Sequence, residues 1–185
     1  MKKKCFLVLS IIVISLLVIF LFNHQSMNEE ISIKTQKCDT DTFLIIRNNS
    51  KKTLDIVSKD NKKLIECLFP NGQSVIKYNN NDFDPSIYKD IKSVKNTDFI
   101  SYNDYEENIE IDISHQNINV EFYNKRNDSK KCYGEVVVFF YKDNNIVDIK
   151  NNNIVLETYK TDIHFVTEKK FDDAKVIYRF WTSNH

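Results

Sequence analysis

Three lysines, Lys2-Lys3-Lys4, are followed by eighteen residues from Cys5 to Phe22 without one charge. As a helix rising about 1.5 Å per residue, such a stretch spans about 27 Å, close to the hydrocarbon core of a bilayer. This feature constrains the chain most, because it predicts two solvents: lipid for the leader and water outside the cytoplasm for the rest. The exit, Phe20-Leu21-Phe22-Asn23-His24-Gln25-Ser26, has no small-x-small step for cleavage. The expectation is therefore an uncleaved signal anchor, with a cleaved signal peptide as the alternative. Basic residues stay on the cytoplasmic side, and the next one after the span is Lys34, behind Glu29 and Glu30. Cys5 sits too early and Cys38 too late to be a lipid-modified cysteine.

The chain has 26 basic and 26 acidic residues, so without the three leading lysines the balance is 23 to 26. A mildly acidic body lacks the basic face that nucleic acid requires. With two glycines and two prolines in 185 residues, no glycine-rich phosphate loop can be written. Three cysteines follow the span, Cys38, Cys67 and Cys132. An odd number outside the cytoplasm leaves at least one unpaired or paired between chains. Cys38–Cys67 is the expected bridge, and buried free thiols are the alternative.

Behind the leader, β patterning dominates. Phe43-Leu44-Ile45-Ile46, Leu54 to Val57, Lys63 to Leu68 and Ser74 to Tyr78 read as short strands. So do Asn108 to Ile113, Ile118 to Tyr123, Glu135 to Tyr141, Ile146 to Ile149, Ile154 to Tyr159, Ile163 to Val166 and Lys175 to Trp181. Turns rich in Asn, Asp, Lys and Ser separate them, which predicts an all-β antiparallel sandwich. The run Val136-Val137-Val138-Phe139-Phe140-Tyr141 is the expected central strand, and only Pro85 to Lys95 reads as helical.

A repeat is visible. Arg47-Asn48-Asn49-Ser50-Lys51-Lys52 recurs as Arg126-Asn127-Asp128-Ser129-Lys130-Lys131 at an offset of 79, and Lys59-Asp60-Asn61 as Lys142-Asp143-Asn144 at an offset of 83. A period near 80 predicts two tandem copies of a small sandwich. The expected organisation is a cytoplasmic tail 1–4, a transmembrane anchor 5–22, a linker 23–37, a first β domain 38–105 and a second 106–185.

Asn127-Asp128-Ser129, then Val138-Phe139-Phe140-Tyr141-Lys142-Asp143 and Ile146-Val147-Asp148, resemble the turn and strands of FxLYD-type Ig-like sandwiches. The first half is similar through Asn48-Asn49-Ser50 and Leu68-Phe69-Pro70-Asn71-Gly72. The resemblance implies an Ig-like fold displayed on the exterior of a Gram-positive bacterium in an anchored protein. It implies no common active site.

Chemical motifs are few. His24, His115, His164 and His185 have no metal-ligand spacing, so zinc is not expected. Asn80-Asn81-Asp82-Phe83-Asp84 alternates oxygen ligands as calcium loops do, but lacks their glycine and final glutamate and reads as a solvated acidic loop. No Gly-x-Ser-x-Gly is present, and Cys132 has lysines rather than a histidine beside it. Glu106, Glu107 and Glu110 read as the wet face of a sheet opposite Ile109, Ile111 and Ile113. Tyr102 and Tyr105 stand at a domain junction and are the expected binding loop. These features predict an anchored, non-catalytic exterior binding or adaptor protein without cofactor or metal. Its partners would be the membrane and a protein or envelope polymer, not nucleic acid. A loop-built envelope hydrolase or inhibitor, and a structural subunit of a membrane complex, are the alternatives.

Overall fold

The computed structural model describes residues 30–80, 83–126, 131–157 and 159–183. The predicted tail and span, most of the predicted linker, Asn81-Asp82 of the acidic loop and the Asn127-Asp128-Ser129 turn lie outside them. Among the described residues no helix is long and apolar enough to cross a membrane.

The described chain is all-β, with thirteen strands and one 3-10 helix. The strands are β1 (Ile31–Cys38), β2 (Asp41–Asn48), β3 (Leu54–Val57), β4 (Lys63–Leu68), β5 (Gln73–Asn79), β6 (Lys92–Lys95) and β7 (Phe99–Ser101). They continue with β8 (Tyr105–Asp112), β9 (Asn117–Asn124), β10 (Cys132–Lys142), β11 (Asn145–Leu156), β12 (Lys160–Val166) and β13 (Asp173–Ser183). They form four antiparallel sheets, ordered β1-β2-β5, β4-β3-β6, β12-β9-β8 and β11-β10-β13-β7. The β10–β11 hairpin closes through Asp143 and Asn144, both at positive φ (51° and 63°). That backbone twist matches the strands, and Asp and Asn tolerate it.

Strand order repeats. The first sandwich sets β1-β2-β5 against β4-β3-β6; the second sets β8-β9-β12 against β11-β10-β13, with β7 added beside β13. One asparagine closes each unit. At the end of β2, Asn48 Nδ2 donates to Leu68 O (2.7 Å), its Oδ1 accepts from Ser50 N, and its N–H bonds Gly72 O. At the end of β9, Asn124 Nδ2 donates to Glu157 O (3.2 Å), its Oδ1 accepts from Arg126 N, and its N–H bonds Tyr159 O. The next amide reaches the residue before β1 in one and before β8 in the other, Asn49 to Glu30 and Lys125 to Asp104. The structural equivalents are therefore Asn48 and Asn124, 76 apart, and the Arg-Asn motif at offset 79 is three residues out of step. Lys59-Asp60-Asn61 and Lys142-Asp143-Asn144 do occupy equivalent hairpins.

Two expected boundaries move. Ile31–Cys38 is a strand rather than linker, held in register along all of β2. Phe99–Ser101 pairs with Trp181–Ser183, so the second unit begins with β7 and not at residue 106. Pro85–Asp90 is a 3-10 turn that Asp84 caps, its Oδ1 accepting from Ser86 N at 2.8 Å, and the chain then extends into β6.

The sheets stack four deep. Leu44 and Ile46 of β2 pack with Leu54, Ile56, Ile65 and Leu68 in the first sandwich. Val120, Phe122, Val136, Val138, Phe140 and Phe180 pack in the second. A third cluster lies between the sandwiches: Phe43, Ile45, Val75 and Cys38 from one side, Val137, Phe139 and Ile149 from the other. The strands β2 and β10 are thus apolar on both faces because both faces are covered.

Candidate functional site: the seam between the sandwiches

The seam is pinned by a buried polar cluster. Glu135, on the outer face of β10, receives Arg179 Nε at 2.9 Å and Nη2 at 2.7 Å from the neighbouring strand β13. Both side chains are nearly inaccessible, at 5% and 9% exposure. Ser74 Oγ of the first sandwich also bonds Glu135, at 2.7 and 2.9 Å. Arg179 Nη1 donates to Glu66 O of β4, and the guanidinium lies 5.0 Å from the centre of the Trp181 ring. The ion pair is therefore satisfied on both partners across the junction, as burial of charge requires. Lys169 and Asp39 form a further ion pair between the halves.

Beside this cluster an open cleft runs along the seam in two lobes. One, about 370 Å³, lies among Asn71, Gln73, Ser101, Asn103 and Tyr178. The other, about 330 Å³, lies among Ile33, Lys34, Phe139, Tyr141 and Ile146. Arg47, Gln73 and Lys175 line both lobes. Arg47 and Gln73 are cross-strand partners on the first sandwich, while Lys175 pairs with Phe139 on the second. Lys34, Arg47 and Lys175 are exposed, and their head groups make no hydrogen bond or ion pair among the described residues. Among the described residues no Asp or Glu lines either lobe. A third cleft, about 470 Å³, lies beyond Arg179 among Tyr133, Asn151, Asn153 and Trp181; the Trp181 Nε1–H is buried there with no acceptor among the described residues.

Of the residues singled out by sequence, Tyr105 lines the first lobe and Cys38 lies in the seam core. Tyr102 lies in the interior, whereas Tyr105 is half-buried and lines the first lobe of the cleft. Tyr102 is buried and donates to Asp104 O (3.0 Å) and Asn124 Oδ1 (2.5 Å). Tyr105 packs edge-on against Phe122 and Phe180. Burial pushes its phenol up to about 12. The junction is short, so both rings pack on the second core, and Tyr105 keeps a face on the first lobe. Cys38 and Cys67 are free buried thiols, not a bridge. Cys38 sits in the seam, whereas Cys67 on β4 lies against Asn96, whose Nδ2 is 3.5 Å from its sulfur. Burial raises the two thiols to about 11 and about 12. Cys132 belongs to the second core.

Ile109 and Ile111 face the side of buried Val120 and Ile118, their register partners, yet stay exposed themselves because β8 is an edge strand. His115 lies in the β8–β9 turn, where Asp112 Oδ1 accepts its N–H at 3.1 Å. Bonds from Ser114 and His115 hold the Asp112 carboxyl down to about 2. Asn80 is occupied with Thr42 and Asp39. Among the described residues no cluster of three His, Cys, Asp or Glu could hold a metal ion. Sequence reading missed the seam cations because Arg47 and Lys175 are 128 positions apart and only the docking of the two sandwiches brings them together.

No protein-family model matches the chain, and no curated protein matches it in sequence.

Proposed function

We propose that this chain is a membrane-anchored, extracytoplasmic binding or adaptor protein, built of two tandem Ig-like sandwiches behind a single N-terminal span, and that it works without catalysis. The lysine-led apolar run Cys5–Phe22 supports the anchor and its orientation. The repeated strand order, with Asn48 and Asn124 closing the two units alike, supports duplication. The observation that carries the binding role is the seam cleft. Of its lining cations, Lys34, Arg47 and Lys175 make no hydrogen bond or ion pair among the described residues, whereas Arg179 is spent on Glu135 and the seam. Concave sites with a few unengaged polar groups are where ligands seat.

Orientation is tested with Tyr159→Cys, at a position 78% exposed, labelled by a membrane-impermeant maleimide on intact cells. The three native exterior thiols are buried and stay silent, so the variant should label without lysis and the parent should not. Labelling that requires lysis would reverse the assigned topology.

A further inference from the structure

We propose that the seam cleft binds a phosphate-bearing polymer, with Arg47 and Lys175 gripping one phosphate from opposite walls. The inference rests on the reading of the chain as a binding protein and names its ligand chemistry.

Charge selects the ligand's sign. Lys34, Arg47 and Lys175 line the two lobes with no carboxylate among the described lining residues, on a body that is otherwise mildly acidic. Arg179 adds no net charge, because Glu135 neutralises it. Three uncompensated cations around one cleft repel each other, and a bound anion relieves that repulsion.

Geometry selects phosphate over carboxylate. The donors come from two facing sheets, with Arg47 and the Gln73 amide on one and the Lys175 ammonium on the other. A tetrahedral anion offers oxygens to both walls at once, whereas a planar carboxylate accepts best within one plane. Arginine supplies a two-pronged fork for such oxygens and lysine a point charge. The three shared residues stand where the lobes meet, so a chain can extend to both sides of the gripped phosphate. The larger lobe offers Asn71, Ser101 and Asn103 to hydroxyl groups, and the other offers the half-buried Tyr141 ring. A polymer with phosphates spaced along a hydroxylated backbone fits this arrangement better than a terminal headgroup.

The test is calorimetric titration of the full chain in neutral detergent with inorganic polyphosphate of defined length, and with poly-glutamate as the carboxylate comparison. Saturable polyphosphate binding is expected, at least about tenfold tighter than poly-glutamate. Arg47→Ala and Lys175→Ala should each weaken it at least about tenfold. Lys59→Ala, which removes an exposed partner of Asp90 in the outermost layer, should stay within about twofold. The substituted cleft residues are exposed, and thermal melts matching the parent confirm that each variant is folded. Absence of saturable binding, equal affinity for poly-glutamate, or full affinity in both cleft variants would overturn the proposal. Such a result alongside intact surface labelling of Tyr159→Cys would reject the phosphate chemistry alone, whereas failed surface labelling would reject the exterior placement alone.

Discussion

Gly134 shows how far a single side chain decides packing here. It faces Phe180 across the β10–β13 pair, and a Cβ built on it would lie 2.2 Å from a Phe180 ring carbon. The ring fills the space a side chain would take, so the glycine is needed for room, not for an unusual backbone. Gly134→Ala must push Phe180 out of its place against Phe122 and Tyr105. A loss of about 1–3 kcal/mol is expected from such overpacking, read as a lower midpoint in urea; an unchanged midpoint would show that the ring moves freely. The buried thiols and phenols set a pH limit. Cys38, Cys67 and Tyr105 ionise at about 11, 12 and 12 in the fold, against 9.0 for a free thiol and 10.0 for a free phenol. Raised acids stay protonated in the fold while the unfolded chain ionises. Stability is therefore full below about pH 9 and falls as pH rises from there towards 12. A urea midpoint that holds steady from pH 8 to 11 would contradict this.

Among the elements, β2 and β10 were the most legible. Phe43-Leu44-Ile45-Ile46 and Val136 to Phe140 are unbroken apolar runs, and such runs mark strands with no wet face. What covers the second face was not legible, since periodicity reports burial and not the identity of the neighbour. β1 was missed for the opposite reason. Ile31-Ser32-Ile33-Lys34-Thr35-Gln36-Lys37-Cys38 buries only its two ends, and its strand state comes from pairing with β2 rather than from its own composition. The seam's ion pair also belongs to this scale, because it joins β10, β13, β4 and β5. Glu135→Leu leaves the Arg179 charge buried without its carboxylate and should cost about 3–5 kcal/mol. The double variant Glu135→Leu with Arg179→Met should recover most of that loss. Equal stability of the single and double variants in urea would mean that the guanidinium finds water once released.

At the scale of the molecule, the sequence motifs and the repeated strand order align differently, at offsets of 79 and 76. The likeness in bonding is carried by the single asparagines Asn48 and Asn124, whose partners are spread over the surrounding strands, and short motifs cannot register such a pattern. The seam cleft was invisible for a related reason: it exists only where two sheet faces from different halves meet, as Arg47 and Lys175 show. The central structural claim is that these faces dock firmly enough to make one body. The chain carries its own reporters, with Cys67 in the first sandwich, Cys38 in the seam and Cys132 in the second core. Pulsed thiol labelling across a urea titration, read peptide by peptide by mass spectrometry, measures when each layer opens. One common midpoint for the three thiols is the result expected of a docked pair. Labelling of Cys38 at clearly lower urea than Cys67 and Cys132 would contradict it, showing two sandwiches that part before either unfolds.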